Sequence, residues 1–183
     1  MEVRAKNILL KNGGEVILRS PLVAETSTLL DHLRRCFRAN YRNFNRPPDY
    51  FENMTVEEEA EIVKKFLESE KEFQLCAFSQ NLIIGCLSLS GHRPPFMSKS
   101  ASLGIGIENE FQGQGIGKHL LEYCLETAKV NGFRSIDLSV RTFNGVAIAL
   151  YEKVGFRRVG EMKDIAWFDN AFHDEFIYQY VLK

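Results

Sequence analysis

A chain of 183 residues suits one domain with a single sizeable core. Hydrophobic residues make up 45% and charged residues 26%, the balance of a soluble globular protein rather than a disordered one. The formal net charge of −1 excludes a field that would draw the whole molecule to nucleic acid or a membrane surface, and no apolar run approaches the ~20 residues of a span.

In chain order, "NILLKNGGEVILRSPLV" reads as two short strands around a turn at Gly13-Gly14. "AETSTLLDHLRRCFRAN" places Leu29, Leu30, Leu33 and Phe37 at helical spacing. "YRNFNRPPDYFEN" is a loop, because Pro47 and Pro48 cannot continue a helix. A second helix starts at Thr55, where Thr55 and Glu58 have the capping-box form and Ile62, Val63, Phe66 and Leu67 share a face. The period then changes. "EFQLCAFSQNLIIGCLSLSG" predicts a hairpin turning at Gln80-Asn81, and "ASLGIGIENEF" predicts another strand. A helix from about Gly115 carries Leu120, Leu121, Cys124, Leu125 and Ala128 on its apolar stripe and stops at Asn131-Gly132. Strand "SIDLSVR", short helix "GVAIALYEKV", and strands "FRRVGEM" and "EFIYQYVL" complete the chain. The order β-β-α-α-β-β-β-α-β-α-β-β implies one α/β or α+β domain over residues 1–183, built on a central mixed sheet.

The N-terminal residues lack an apolar signal core and a small-residue cleavage site. Cys36, Cys76, Cys86 and Cys124 are scattered, with no CxxC pair and no histidine nearby to complete a zinc cluster. Both features point to a cytoplasmic protein with buried free thiols and no metal. Cys124 as a nucleophile is the alternative, and its place on an apolar stripe argues for core.

Glycine inside a helix costs about 1 kcal/mol relative to alanine, yet Gly113, Gly115 and Gly117 crowd a helix start. A strand, a glycine-rich turn and a helix N-terminus together cradle phosphate, because unpartnered N–H groups and the helix dipole meet an anion that no Cβ keeps away. Lys118 adds a cation in the first turn, unfavourable there unless an anion meets it. A P-loop is excluded, since His119 follows Lys118 and the glycine spacing differs. A dinucleotide fingerprint lacks its third glycine at position 118, and Asp137, about 20 residues on, falls mid-strand.

A third pattern, Gln/Arg-x-x-Gly-x-Gly/Ala, is met by Gln112, Gly115 and Gly117. With "LSVRTFNGVAIALYEKVGFRRVG", where Asn144, Tyr151, Gly155 and Phe156 match in order and spacing, the chain resembles the GNAT superfamily of acetyl-CoA-dependent N-acetyltransferases. The resemblance covers roughly residues 70 to 182 well, and the first 70 only as a strand followed by two helices. It implies a twisted mixed sheet of about seven strands with about four helices, whose strands 4 and 5 splay through a bulge in the first of them. It also implies that the pantetheine arm of coenzyme A pairs with the exposed edge at Leu103, Ile105 and Ile107. The diphosphate would be held by Gln112, Gly113, Gln114, Gly115, Ile116, Gly117 and Lys118, and the arm would be contacted by Asn144, which also suits a helix cap. Gly104 and Gly106 fit a bulge or a close approach.

Acetyl transfer needs a neutral amine, a proton acceptor, a preset donor for the oxyanion and a proton for the departing thiolate. The resemblance gives the last role to Tyr151; an aromatic merely packed on the sheet is the alternative. Ribosomal-protein acetyltransferases carry a glutamate directly before Val-Arg, and this chain has Ser139 there, so that role does not carry over. Glu108 is the first substitute as base and Asp137 the second, with His92 and His119 weaker candidates. On the acceptor side, "RRCFRANYRNFNRPPDYF" is rich in Arg and aromatics, but Arg34, Arg35 and Arg38 extend into no basic stripe, which disfavours nucleic acid. These arginines either meet an acceptor carboxylate or phosphate or are simply solvated. "WFDNAFHDEFIYQYVL" resembles the family's closing hairpin, turning at Asp169-Asn170. The expected activity is acetyl transfer to a primary amine of a small molecule or peptide, by direct transfer in a ternary complex. The alternative is a non-catalytic acyl-CoA-binding module on the same fold. Many relatives dimerise, so a homodimer is compatible with the resemblance, and no sequence feature decides it.

Overall fold

Every residue from Phe73 to Phe78 is buried, which a strand achieves where both faces of its sheet are covered. In the computed structural model, which describes residues 1–10, 12–47 and 49–183, this strand is β3 (Glu72–Ser79) of a mixed sheet. The others are β1 (Lys6–Leu9), β2 (Glu15–Arg19), β4 (Leu82–Gly91), β5 (Ser100–Ile107), β6 (Ser135–Arg141), β7 (Arg157–Phe168) and β8 (Ala171–Val181). Their spatial order is β1-β2-β3-β4-β5-β6-β8-β7. Among the described residues four α-helices cover them: α1 (Thr26–Asn40), α2 (Val56–Glu68), α3 (Ile116–Val130) and α4 (Gly145–Val154). Lys11, beside the expected first turn, and Pro48, expected to interrupt the loop, lie outside the described residues.

Elements follow the order predicted from sequence, and among the described residues the sheet has the eight strands of that order, one more than the resemblance implied. Counting the short edge strand β1, which among the described residues pairs only with β2, the pair that parts is the fifth and sixth rather than the fourth and fifth. Alternation along β3 divides the core. Phe73, Leu75 and Ala77 pack with Leu120, Leu121 and Cys124 of α3, whereas Cys76 and Phe78 turn to the opposite face and meet Leu29 of α1 and Val63 of α2. Gln80 and Asn81 take φ of +48° and +69°, and Asp169 and Asn170 take +51° and +57°. Both hairpins thus close on the residues expected, in the left-handed region that two-residue turns demand. The capping box is present: Thr55 N–H donates to Glu58 at 2.8 Å and Glu58 N–H to Thr55 Oγ1 at 3.2 Å. All four cysteines are buried and free.

One junction differs from the rest. β5 and β6 are parallel and pair over only three positions, Ser100–Ser135, Ala101–Ile136 and Ser102–Asp137. Beyond Ser102, β5 stays paired with β4 out to Ile107, and β6 stays paired with β8 out to Arg141. Each strand keeps a full partner on its outer side, so their shared edge opens without unfolding either. The bulge expected in β5 is absent: its register with β4 runs unbroken from Gly91–Ala101 to Gly85–Ile107, and the nearest shift lies one strand over, at Ala77/Phe78. Divergent partners, not an inserted residue, open this gap. Among the described residues, no helix is long and apolar enough to cross a membrane.

Glu59 on α2 is buried, and desolvation pushes its carboxyl up to about 7. A carboxyl raised from its ordinary 4.5 costs the fold nothing below that pH, and its penalty grows as pH climbs to about 7. Glu59→Gln is expected to raise Tm at pH 8 by several degrees, a gain on the order of 2 kcal/mol. Thermal melts at pH 4 should show no such gain.

Candidate active site

The gap between β5 and β6 leads into a cleft of about 1000 Å³. Its mouth is the glycine turn. β5 ends at Ile107, a short 3-10 turn spans Asn109–Phe111, and α3 begins at Ile116 behind Gly113 and Gly115, whose φ values are +75° and +98°. Those two glycines supply left-handed backbone. Gly117 serves closeness instead, because a Cβ there would lie 2.8 Å from Leu150 Cδ2 and 3.0 Å from Ile107 Cδ1. Among the described residues no side chain caps α3, so the positive end of the helix stands at the cleft, which Gly115, Ile116, Gly117 and Lys118 line.

Two of the expected cradle residues turn their side chains to the turn itself. Gln112 Nε2 donates to Ile107 O and to Asn109 Oδ1, both at 3.0 Å. Gln114 donates to Glu110 O at 3.1 Å and accepts from Asn12 Nδ2 at 2.9 Å; it is not among the residues lining the cleft, whereas Gln112 and Gly113 are. Lys118 lies 3.4 Å from Glu122 one turn along.

Deeper in, Leu103, Ile105 and Ile107 of β5 face Leu138, Ser139 and Val140 of β6 across the opening. A Cβ on Gly104 would meet nothing within 4 Å, so the floor there is open. Asn144 lines the cleft and caps α4, its Oδ1 accepting from Ala147 N–H at 3.2 Å. Tyr151, on α4, lines the same space while only 6% exposed, and burial pushes its phenol up to about 12. It therefore keeps its proton through neutral pH.

Glu108 stands elsewhere. It is absent from the cleft lining; its carboxylate is met by His32 Nδ1 at 2.9 Å and by Arg35 Nε and Nη2 at 3.0 and 2.9 Å. Burial alone would raise this carboxyl, but the hydrogen bonds from His32 and Arg35 outweigh it and hold the group at about 2. A carboxylate so occupied is a poor acceptor for an amine proton. His32, fully buried on α1 and lining the cleft, went unnoticed in sequence; its one signal was its place on the stripe of Leu29 and Cys36.

Asp137 does line the cleft, and His92 Nε2 lies 2.9 Å from its Oδ2. The arginines expected as acceptor ligands are engaged. Arg34 donates to the carbonyls of Phe51 and Met54, and Arg38 pairs with Glu52 at 2.7 Å. Arg42, in the 3-10 turn Tyr41–Asn43 that follows α1, pairs with Asp169 at 2.7 Å and ties that turn to the β7–β8 turn. Arg141, buried and paired with Glu175, donates to Arg42 O at 3.2 Å and Asn45 Oδ1 at 2.7 Å. These bonds hold the loop after α1 over the sheet, where Phe37 stacks on Phe44 at 4.0 Å and meets Phe51 edge-on at 4.4 Å. The wall they form is aromatic and uncharged.

A carboxyl held below its ordinary 4.5 stabilises the fold above that pH and ceases to do so on acidification toward about 2. Glu108→Gln is expected to lower Tm at pH 7, at roughly 2–4 °C for each kcal/mol lost. The gap to wild type should narrow as melts are taken from pH 5 down to pH 3.

Comparison with known proteins bears on this arrangement. A family model described as the acetyltransferase (GNAT) family matches residues 28–156. The chain is 40% identical over 86 residues to N-alpha-acetyltransferase RimI of Mycobacterium tuberculosis, a match covering 46% of this chain and 51% of that protein. It thus spans about half the length of that curated relative. In fold it is similar to a GNAT-family acetyltransferase from Streptococcus pneumoniae, with TM-score 0.85, 24% identity and coverage of 92% and 99% of the two chains. It is also similar to yncA from Salmonella typhimurium, solved with acetyl-CoA, with TM-score 0.79, 15% identity and coverage of 92% and 94%.

Proposed function

Because the chain belongs to the GNAT acetyltransferase family, we propose that it transfers an acetyl group from acetyl-CoA to a primary amine of a small molecule or peptide, both bound at once. The observation that carries this reading is the continuity of one cleft from an uncapped helix start, along an unpaired strand edge, to a protonated tyrosine.

The residues present fit acetyl-CoA. Gly113 and Gly115 bare the backbone at the mouth, and Lys118 adds a cation, a combination suited to a diphosphate. Leu103, Ile105 and Ile107 offer main-chain groups along an edge that β6 leaves unpaired, as an extended pantetheine arm requires. Asn144 lies beside that edge. When bound, acetyl-CoA supplies the acetyl group as an activated thioester.

Within that frame Tyr151 holds a proton for the departing sulfur. Its environment disfavours the phenolate, so the hydroxyl arrives protonated and can serve as acid. Glu108 fills another role, fixing α1 to the strand end that leads into the cradle. The uncharged aromatic wall suits an acceptor whose flank is apolar.

Calorimetry should show saturable uptake of acetyl-CoA by the wild-type protein; no uptake at millimolar concentration would end this reading. Gly115→Ala is expected to weaken that uptake about tenfold, since a side chain at φ +98° forces the cradle to shift. Tyr151→Phe should lower turnover about tenfold or more across an amine panel, followed by release of free thiol. Its affinity for acetyl-CoA should stay within about twofold of wild type. Uptake without turnover on any amine would favour a binding module instead.

A further inference from the structure

Of the described residues that line the cleft, Asp137 is the one carboxylate, while Lys118 and Lys153 line it as cations. The charges lie on different elements: Lys118 stands in the first turn of α3, Lys153 on α4, and the one anion on β6. Asp137 occupies the last position at which β6 pairs with β5, opposite Ser102, and so marks the point where the two strands part. One of its oxygens, Oδ2, is taken by His92 at 2.9 Å. Oδ1 has no hydrogen-bond partner among the described residues, and the side chain is 33% exposed.

We propose that Asp137, oriented by His92, receives the ammonium group of the acceptor and takes its proton. This rests on the acetyl-transfer reading and deepens it by naming the base and the class of acceptor. An ionised carboxylate only accepts, so His92 donates through Nε2–H and leaves Oδ1 for the incoming amine. His92 is a positioning residue: it is absent from the cleft lining and lines a surface hollow with Glu70, Lys71, Glu72 and Arg93.

The proton account closes. Acetyl transfer from a thioester to an ammonium forms the C–N bond, breaks the C–S bond and removes two protons from nitrogen. The first goes to Asp137 Oδ1 before attack and then to water. Tyr151 gives its hydroxyl proton to the departing sulfur, and the second proton, lost from nitrogen after attack, restores that hydroxyl. An α-amino group, with an ordinary pKa of about 8, yields its proton more readily than a lysine-type amine at about 10. With aromatic walls at Phe37, Phe44 and Phe51 and arginines already paired, the acceptor class is an α-amine with an apolar flank and no nearby anion.

The probe is L-phenylalaninamide, with 3-phenylpropanamide as its uncharged counterpart, each titrated by calorimetry with and without coenzyme A. Wild type is expected to bind phenylalaninamide at least about tenfold tighter, the effect of one charge-assisted hydrogen bond. Asp137→Asn should abolish that preference and Asp137→Glu should restore part of it. The imidazole nitrogen resonances of His92 should move on adding phenylalaninamide to wild type but not to Asp137→Asn. Turnover of phenylalaninamide should fall at least about tenfold in Asp137→Asn, with acetyl-CoA affinity unchanged. Equal binding of the two probes by wild type, binding of neither, or a preference kept in Asp137→Asn overturns the assignment. A wild type that prefers phenylalaninamide through Asp137 yet takes up no acetyl-CoA would refute the transfer reading while leaving the ammonium site standing.

Discussion

The parting of β5 from β6 is the constraint on which the rest of the molecule turns. Two parallel strands share three positions and then separate because each has a full-length antiparallel partner on its other side. A sheet ordinarily satisfies both edges of an interior strand, and leaving one edge bare has a cost unless water or a ligand occupies it. Here the bare edge faces a cleft large enough for either. The same divergence sets the cradle at one end of the opening and Asp137 at the point of separation.

Around that opening the charges are sorted with little redundancy. Arg34, Arg38, Arg42 and Arg141 hold loop carbonyls and carboxylates, so a segment that reads as basic presents an uncharged face inward. Arg141 is the extreme case, since its guanidinium is buried against Glu175 and reaches the loop at Asn45 as well. Removing either partner of such a pair would leave a charge stranded in low dielectric, a loss of about 3–5 kcal/mol in comparable sites. The loop over the acceptor side is thereby tied to the same strand, β6, that borders the gap.

Local features were legible from sequence because local chemistry decides them. Thr55 with Glu58 forms its box within one helical turn, Asn144 caps the helix it precedes, and Gln80-Asn81 and Asp169-Asn170 turn where short polar residues tolerate positive φ. The glycines of the cradle were legible for the same reason, although sequence could not separate Gly113 and Gly115, which supply backbone freedom, from Gly117, which supplies close approach. What stayed hidden was partnership across the chain. Glu108 meets His32 from 76 positions away, and nothing in its neighbours reveals that its carboxylate is taken. Asp137 ranked second as base and His92 was a weaker candidate, and nothing local links these residues, 45 positions apart, which the sheet brings to 2.9 Å.

The fate of the two carboxylates shows how one fold assigns unlike roles to like groups. Glu108 directly follows β5 and Asp137 lies on β6, its neighbour in the sheet, and each has a histidine at 2.9 Å. Glu108 has in addition an arginine fork on both oxygens, which consumes its accepting capacity and pins the end of β5 to α1. Asp137 has no such fork, so one oxygen stays available at the point where the strands divide. A group saturated with donors serves as an anchor, whereas a group held at one oxygen can still exchange a proton. The difference lies in a single side chain, Arg35, and in which residue the sheet delivers to it.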